Sequence, residues 1–404
     1  MPSIIINIIG DIGLDITVVF LCKRIINLFS MKVVYKTVFI VGTLSVLLPA
    51  KVNAQQDVDD KANSPVSLSA SYVGDLVSNF RGGIKKGTAY LGLLNVKADF
   101  YTSKWWKGGE AFINIGNTHG GEPTVDLIGD FQGVSNIEAG NLTFLYELWY
   151  KQCFGTACVT LGLQDLNAKF AVNDNGCLFT NSSFGIHSSI ADNISSPIFP
   201  LTALGVNVQW DISNSFSCEA AIFDGTPDDF ENNPYNVGWK LSKNQGFLAV
   251  TEFQLKKSLL RGMSGCYKFG AYYHQHNDTI EAIQKNGGFY FVVDQQITDK
   301  LFVFSQLGLS PEKINRNNYY VSLGFNCRGL MAKRPDDQFG IAVACAGFHN
   351  ALVKHETVLE LAYQFKVNKN IFIKPDIQYI INPAGTDVKL ANALVGFIRF
   401  GVTI

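Results

Sequence analysis

The sequence predicts an all-β fold, a transmembrane antiparallel β-barrel of about 16 strands with inward-folded loops. Three observations predict it. Apolar and polar residues alternate in segments of about ten residues from Val66 to the last residue. Turn signals separate these segments, among them Asp224-Gly225, Asn286-Gly287-Gly288 and Thr298-Asp299-Lys300. The composition, with 30 Phe, 15 Tyr and 37 Gly against 12 Pro and 4 Met, suits strands and turns better than helices.

Each strand candidate divides cleanly at a period of two. The apolar sets include Val66/Leu68/Ala70/Tyr72, Val206/Val208/Trp210/Ile212, Phe216/Cys218/Ala220/Ile222 and Tyr267/Phe269/Ala271/Tyr273. They continue with Tyr319/Val321/Leu323/Phe325, Leu359/Leu361/Tyr363/Phe365 and Leu394 to Ile404 at every second position. The opposite faces carry Glu219, Lys268, Asn326, Arg328, Glu360, Gln364 and Arg399. In a membrane barrel the first face meets lipid and the second meets water. In a soluble β-sandwich the apolar face would turn inward, but this length would need two or more sandwiches, and no linker divides the chain. At roughly 20 to 22 residues per strand and connection, residues 66–404 supply about 16 strands, enough to enclose an aqueous channel.

The stretch "TFLYELWYKQ" at 143–152 poses the question of what the second face looks at. A strict alternation puts Phe144, Tyr146, Leu148 and Tyr150 toward lipid, and Leu145, Glu147, Trp149 and Lys151 toward the lumen. Longer, less periodic segments at 116–141, 173–202 and 227–236 read as extracellular loops or loops folded into the lumen, where they would narrow the pore.

Residues 31–54, "MKVVYKTVFIVGTLSVLLPAKVNA", have the layout of an export signal: two lysines, an apolar core and small residues before Ala54, where cleavage is expected. Residues 1–30 hold a second apolar patch interrupted by Asp11 and Asp15. Either they form an N-terminal extension with membrane affinity, or translation starts at Met31; the two acids favour the second. Residues 55–65 read as a flexible lead-in to the barrel.

With 33 basic and 34 acidic residues there is no general positive field to hold nucleic acid. The eight cysteines show neither a CxxC pair nor zinc-type Cys/His spacing, and no cofactor or metal is expected. Seven cysteines follow Ala54, an odd number. Cys218, Cys327 and Cys345 fall on lipid-facing sets. Cys153 and Cys158 flank "FGTA" in a short periplasmic hairpin, where a disulfide and two thiols are both open readings. No catalysis is expected: His187 adjoins Ser188 and Ser189, but adjacent residues on an extended strand diverge, and no GxSxG elbow occurs. The acidic turn "DGTPDD" at 224–229 lacks the alternating spacing of a calcium loop.

Six elements in order give the chain a family resemblance: "WWKGGEAFINIGNTHGG" (105–121), "QGVSNIEA" (132–139), "LYELWYKQ" (145–152), "LGLQDLNAKFA" (161–171), "FTNSSFG" (179–185) and "ETVLELAYQFKVNKNIFIKPDIQYIINPAGT" (356–386). On these the chain resembles the carbohydrate-selective outer-membrane porins of the OprB type. The resemblance implies a monomeric or homotrimeric barrel in the outer membrane of a Gram-negative bacterium, surrounded by outer-membrane lipid and inserted by the barrel-assembly machinery. It also implies passive diffusion of carbohydrate substrates past loops that constrict the channel.

A sugar path needs polar groups for the hydroxyl rim and aromatic rings for the C–H face. Glu147, Trp149 and Lys151 supply both on one strand. The same face logic nominates Asp75, Asn95, Lys97 and Asp99, then Glu219 and Glu252, then Lys374, Asp376 and Gln378. Two departures stand out. The family pattern leads one to expect Arg just before "LYELW", where this chain has Phe144, and the chain ends on Ile404 rather than an aromatic residue.

Overall fold

A computed structural model describes residues 65–260, 262–277 and 283–404, and the expected signal and extension lie outside these residues. Sixteen strands follow one another in chain order: β1 (Val66–Gly83), β2 (Gly87–Tyr101), β3 (Gly109–Gly120), β4 (Leu142–Phe154), β5 (Ala157–Gln164), β6 (Ala203–Asp211), β7 (Phe216–Asp224) and β8 (Phe247–Lys256). The second half comprises β9 (Gly265–Asn277), β10 (Ile283–Gln296), β11 (Leu301–Leu309), β12 (Asn317–Arg328), β13 (Gln338–Phe348), β14 (His355–Lys366), β15 (Ile371–Ile381) and β16 (Ala391–Thr403). Every strand pairs antiparallel with its sequence neighbours, and β1 pairs with β16 to close the barrel. Closure leaves no unpaired edge, which is what a strand structure needs in hydrocarbon. Among the described residues no helix is long and apolar enough to cross a membrane.

The connections differ between the two ends. One end has tight turns such as 155–156, 212–215, 297–300 and 367–370, together with both ends of the barrel sequence. The other carries the long segments 121–141, 165–202 and 225–246. Short turns mark the periplasmic end of such barrels. At that end Trp105, Trp106, Phe154 and Trp210 project outward, as an interfacial aromatic girdle does.

The pleat sorts the faces as expected for most strands. Leu76, Val206, Ile222, Phe291, Phe325, Ile341, Ile377 and Ile398 project from the outer face. The buried apolar clusters, by contrast, lie inside the barrel. Leu166, Phe170 and Ile190 of the 165–202 segment pack on Phe223, Leu248 and Tyr290 of the wall. Leu178, Phe179 and Phe184 pack on Phe304, Tyr320 and Ala342. Segment 165–202 is therefore a plug with its own core. Gly270 makes room for the Tyr290 ring on which the plug packs, because a Cβ there would meet that ring at 2.0 Å.

β4 departs from strict alternation. Asn114 of β3 faces Glu147, but the next residue, Ile115, faces Leu145, so Tyr146 is an extra residue in a β-bulge. The bulge reverses the faces on its N-terminal side. Leu145 turns outward, while Phe144, expected in lipid, turns inward and is 1 % exposed. Its ring meets Tyr146, Phe199 and Phe230 at 5.9, 6.2 and 5.5 Å. Tyr146 also leaves the lipid set, since its hydroxyl donates to Asp165 at 2.6 Å. Gly116 lies opposite Phe144, and a Cβ there would meet the inward ring at 2.8 Å. The carbonyls freed by the bulge are taken by loops: Thr202 donates to the Tyr146 carbonyl, and Asn236 Nδ2 to that of Leu145 at 3.3 Å.

The structure joins Cys153 and Cys158 in a disulfide across the tight β4–β5 turn. Cys218 and Cys327 are partly exposed on outward registers, whereas Cys345, also outward in register, is buried.

The bulge makes a test of inward packing. Phe144→Ala should lower stability by about 3–5 kcal/mol, as loss of a buried aromatic does. Leu145→Ala should stay within about 1 kcal/mol. Thermal unfolding followed by heat-modifiable gel mobility checks both.

Candidate channel and constriction

The two inward segments, 121–141 and 165–202, have little regular structure, so their backbone N–H groups need partners, and carboxylates on the wall supply them. Glu252 accepts from Ala171 N–H and from the Tyr290 hydroxyl, both at 2.8 Å. Asp294 accepts from Asp174 N–H at 3.2 Å and Asn175 N–H at 3.1 Å. Glu360 accepts from the adjacent N–H groups of Thr180 and Asn181. Glu356 accepts from Phe131, Gln132 and Ala384 N–H at 2.7, 2.9 and 2.7 Å.

Cations and amides complete the attachment. Lys268 and Lys374 donate to the Val172 and Leu178 carbonyls at 2.7 and 2.6 Å. Gln378 donates to the Val134 carbonyl at 2.9 Å, and Asp376 accepts from the Thr180 hydroxyl at 3.2 Å. Asp75 and Arg399 form a bidentate pair at 2.6 and 2.7 Å, to which Ser135 donates at 2.7 Å. The two segments also bond to each other, Asn136 N–H to the Thr180 carbonyl and Ser182 N–H to that of Gly133, each at 2.9 Å.

These bonds sort the residues nominated from sequence. Asp75, Glu252, Lys374, Asp376 and Gln378 point inward but are covered by the loops. Their expected place on the open channel is corrected: they seat the two inward segments. Glu219 stays partly exposed on β7, beside the covered Glu252 in register. Lys97, Asp99, Trp149 and Lys151 come together, partly exposed, on the wall of β2–β4, with Asn95 further along the same face, whereas Glu147 shares that face but is buried, so its expected place on the open channel is corrected.

On that wall Lys97, Asn114 and Glu147 lie side by side across three strands, and Asp99, Phe112 and Trp149 form the next row. The Trp149 ring stacks on Phe112 at 4.9 Å, and its N–H donates to Glu147 at 3.2 Å. Lys151 pairs with Glu110 and lies 5.8 Å from the Trp149 ring centre. Phe112 and Glu110 were missed as candidates. Their signal was available, since both lie in "GGEAFINIG" at the lumen period, but the pairing that places them beside Trp149 was not.

Segment 165–202 also brings His187 Nδ1 within 2.7 Å of the Ser189 hydroxyl, two residues on rather than at the adjacent serine. A short helical turn at Ser188–Ala191 replaces the extended strand assumed from sequence. Burial lowers the His187 pKa to about 3, and the ring is fully enclosed, with Tyr290 and Tyr320 of the wall against it.

A family model described as carbohydrate-selective porin, OprB family, matches residues 85–404. The chain belongs to this family. The porin is 22 % identical to Porin B of Pseudomonas aeruginosa, over 81 % of this chain and 85 % of that one. It is also 22 % identical to the putative porin QuiX of Acinetobacter baylyi, over 79 % and 84 %. Among solved structures it resembles OprB of Pseudomonas putida at high pH, with a TM-score of 0.75 and 22 % identity over 87 % of this chain and 96 % of that one. The fold is thus that of a 16-stranded porin, and its place is the outer membrane of a Gram-negative bacterium.

Two tests address the plug. Glu360→Ala strands two loop N–H groups and should weaken the seat of segment 165–202 by about 1–3 kcal/mol. Single-channel recording should then show greater conductance or more open-state noise. The second test uses pH. Burial raises Asp165 to about 6, and burial, aided by nearby Glu122 and Asp126, raises Glu138 to about 7. The docked loops therefore bind protons more tightly than released loops. Docking should be firmest below the ordinary carboxylate range and weaken as pH rises through about 4 to 7. Open-state noise should accordingly grow from about pH 4 to about pH 7 and then level off, and Glu138→Gln should remove part of that growth.

Proposed function

We propose that this porin admits neutral mono- or small oligosaccharides to the periplasm by passive, selective diffusion, without catalysis. The observation that carries this reading is the partly exposed wall of β2–β4. There the stacked Phe112 and Trp149 rings offer an aromatic face, with Lys97, Asp99, Glu110 and Lys151 around it. A sugar presents a weakly apolar C–H face inside a rim of hydroxyls. Such a solute can lie on the rings while its hydroxyls exchange water for fixed donors and acceptors. Because cations and carboxylates alternate along this wall, a neutral polar solute gains hydrogen bonds of both kinds without a net charge being required.

Liposome swelling and planar-bilayer recording separate this from a nonspecific pore. Glucose should enter faster than amino acids of similar size and should block the ionic current; equal rates with no block would leave a nonspecific pore, and no conductance would end the pore reading. Trp149→Ala should weaken glucose block by roughly two- to tenfold, the range expected for one aromatic face, with conductance preserved. Unchanged block would return Trp149 to a packing role.

A further inference from the structure

The periplasmic mouth holds a second polar cavity, away from the β2–β4 wall. The lumenal ends of β12–β15 and the turns 329–337 and 367–370 enclose about 310 Å3. Arg328, Lys366 and Lys369 line it together with Gln338 and Gln364, and Asp336 is the one acid in the lining. Arg328, Gln338 and Gln364 stand in one row across three strands on the inward face. The Arg328 guanidinium lies 4.5 Å over the Phe302 ring, a contact that leaves N–H groups available for an oxyanion.

What sets this cluster apart is that three cations line one cavity with a single acid, Asp336, and none of the three is ion-paired to it. Among the described residues Arg399 is taken by Asp75, Lys151 by Glu110 and Arg334 by Asp337, while no ion pair involves Arg328, Lys366 or Lys369. The chain as a whole carries a formal charge of −1, so three unpaired cations around one cavity do not reflect a basic protein. Three cations against one acid leave the cavity with an excess of positive charge, and an anion between them relieves their mutual repulsion. The volume lies at the low end of the range for small-ligand sites, about 300–1,000 Å3, and suits a single monosaccharide-sized solute. The two glutamine amides can bond hydroxyls, and Phe372 adds an aromatic surface.

We propose that this cavity is an exit-side binding site for the carboxylate of an acidic monosaccharide, so that the channel passes sugar acids as well as neutral sugars. The proposal rests on the sugar-porin reading and extends it to a charged substrate class. Arg328 would take the carboxylate through its N–H edge, as guanidinium groups do. Lys366 and Lys369 would hold the same charge from the turn side. The solute is then drawn from the neutral wall toward the periplasm by the field of the mouth.

Gluconate and glucose are the probes, added to the periplasmic side of the full-length porin in a planar bilayer at low salt. Gluconate should block at a concentration on the order of tenfold below that of glucose, and high salt should erase the difference. The triple variant Arg328→Gln, Lys366→Gln, Lys369→Gln should raise the half-blocking gluconate concentration on the order of tenfold and leave glucose block unchanged. Should that variant fail to assemble, Lys369→Gln alone, on an exposed turn, should give a smaller shift in the same direction. Equal block by the two solutes, or equal shifts for both in the variants, would overturn the acidic-sugar site while leaving the neutral-sugar reading intact. Absence of block or passage by either solute would instead overturn the sugar-porin reading.

Discussion

Carboxylates on the inner wall grip the backbone N–H groups of two long loops, and the form of the channel follows from that grip. A loop inside a barrel cannot satisfy its amides by a helix or a ladder unless its sequence supplies one. Here Glu252, Asp294, Glu356 and Glu360 each accept loop N–H groups, from Ala171 to Ala384, and all four stand on β8–β14. Burying a carboxylate is expensive, and several donors on one group are the usual way to offset it. The same bonds that make these charges tolerable position the plug. The plug in turn decides which part of the wall remains wet.

The inside of this barrel is accordingly two environments. On β7–β14 the plug forms a packed apolar interior, with Phe170 and Phe184 against Tyr290 and Phe304, as a soluble domain would. On β2–β4 the wall keeps its ions, with Lys151 paired to Glu110 and Trp149 stacked on Phe112. The plug held by the wall carboxylates covers the β7–β14 side, and the partly exposed residues of β2–β4 lie on the other.

Much of this architecture was legible in the sequence because lipid and water impose opposite demands on alternate residues. That constraint acts strand by strand, so the strand sets from Val66/Leu68 to Phe400/Val402 and the closed barrel could be read locally. The Tyr146 bulge could not, because "TFLYELW" has aromatic or aliphatic residues at both parities, and one inserted residue leaves no trace in such a pattern. The division of the lumen was hidden for a different reason. Glu219 and Glu252 look alike in sequence and lie side by side in the sheet, but Glu252 meets the amide of Ala171 and Glu219 does not. Which carboxylate is covered depends on the path of a loop many residues away.

The two loops are tied to each other as well as to the wall. Thr180 is the knot: its carbonyl receives Asn136 N–H, its own N–H goes to Glu360, and its hydroxyl to Asp376. Two bars hinged separately could open in succession and give the channel several partial widths. Bars fastened at Thr180 and again at Gly133 and Ser182 share their fastenings, so lifting one strains the other. The two segments are therefore coupled: a change that displaces one removes hydrogen bonds from the other.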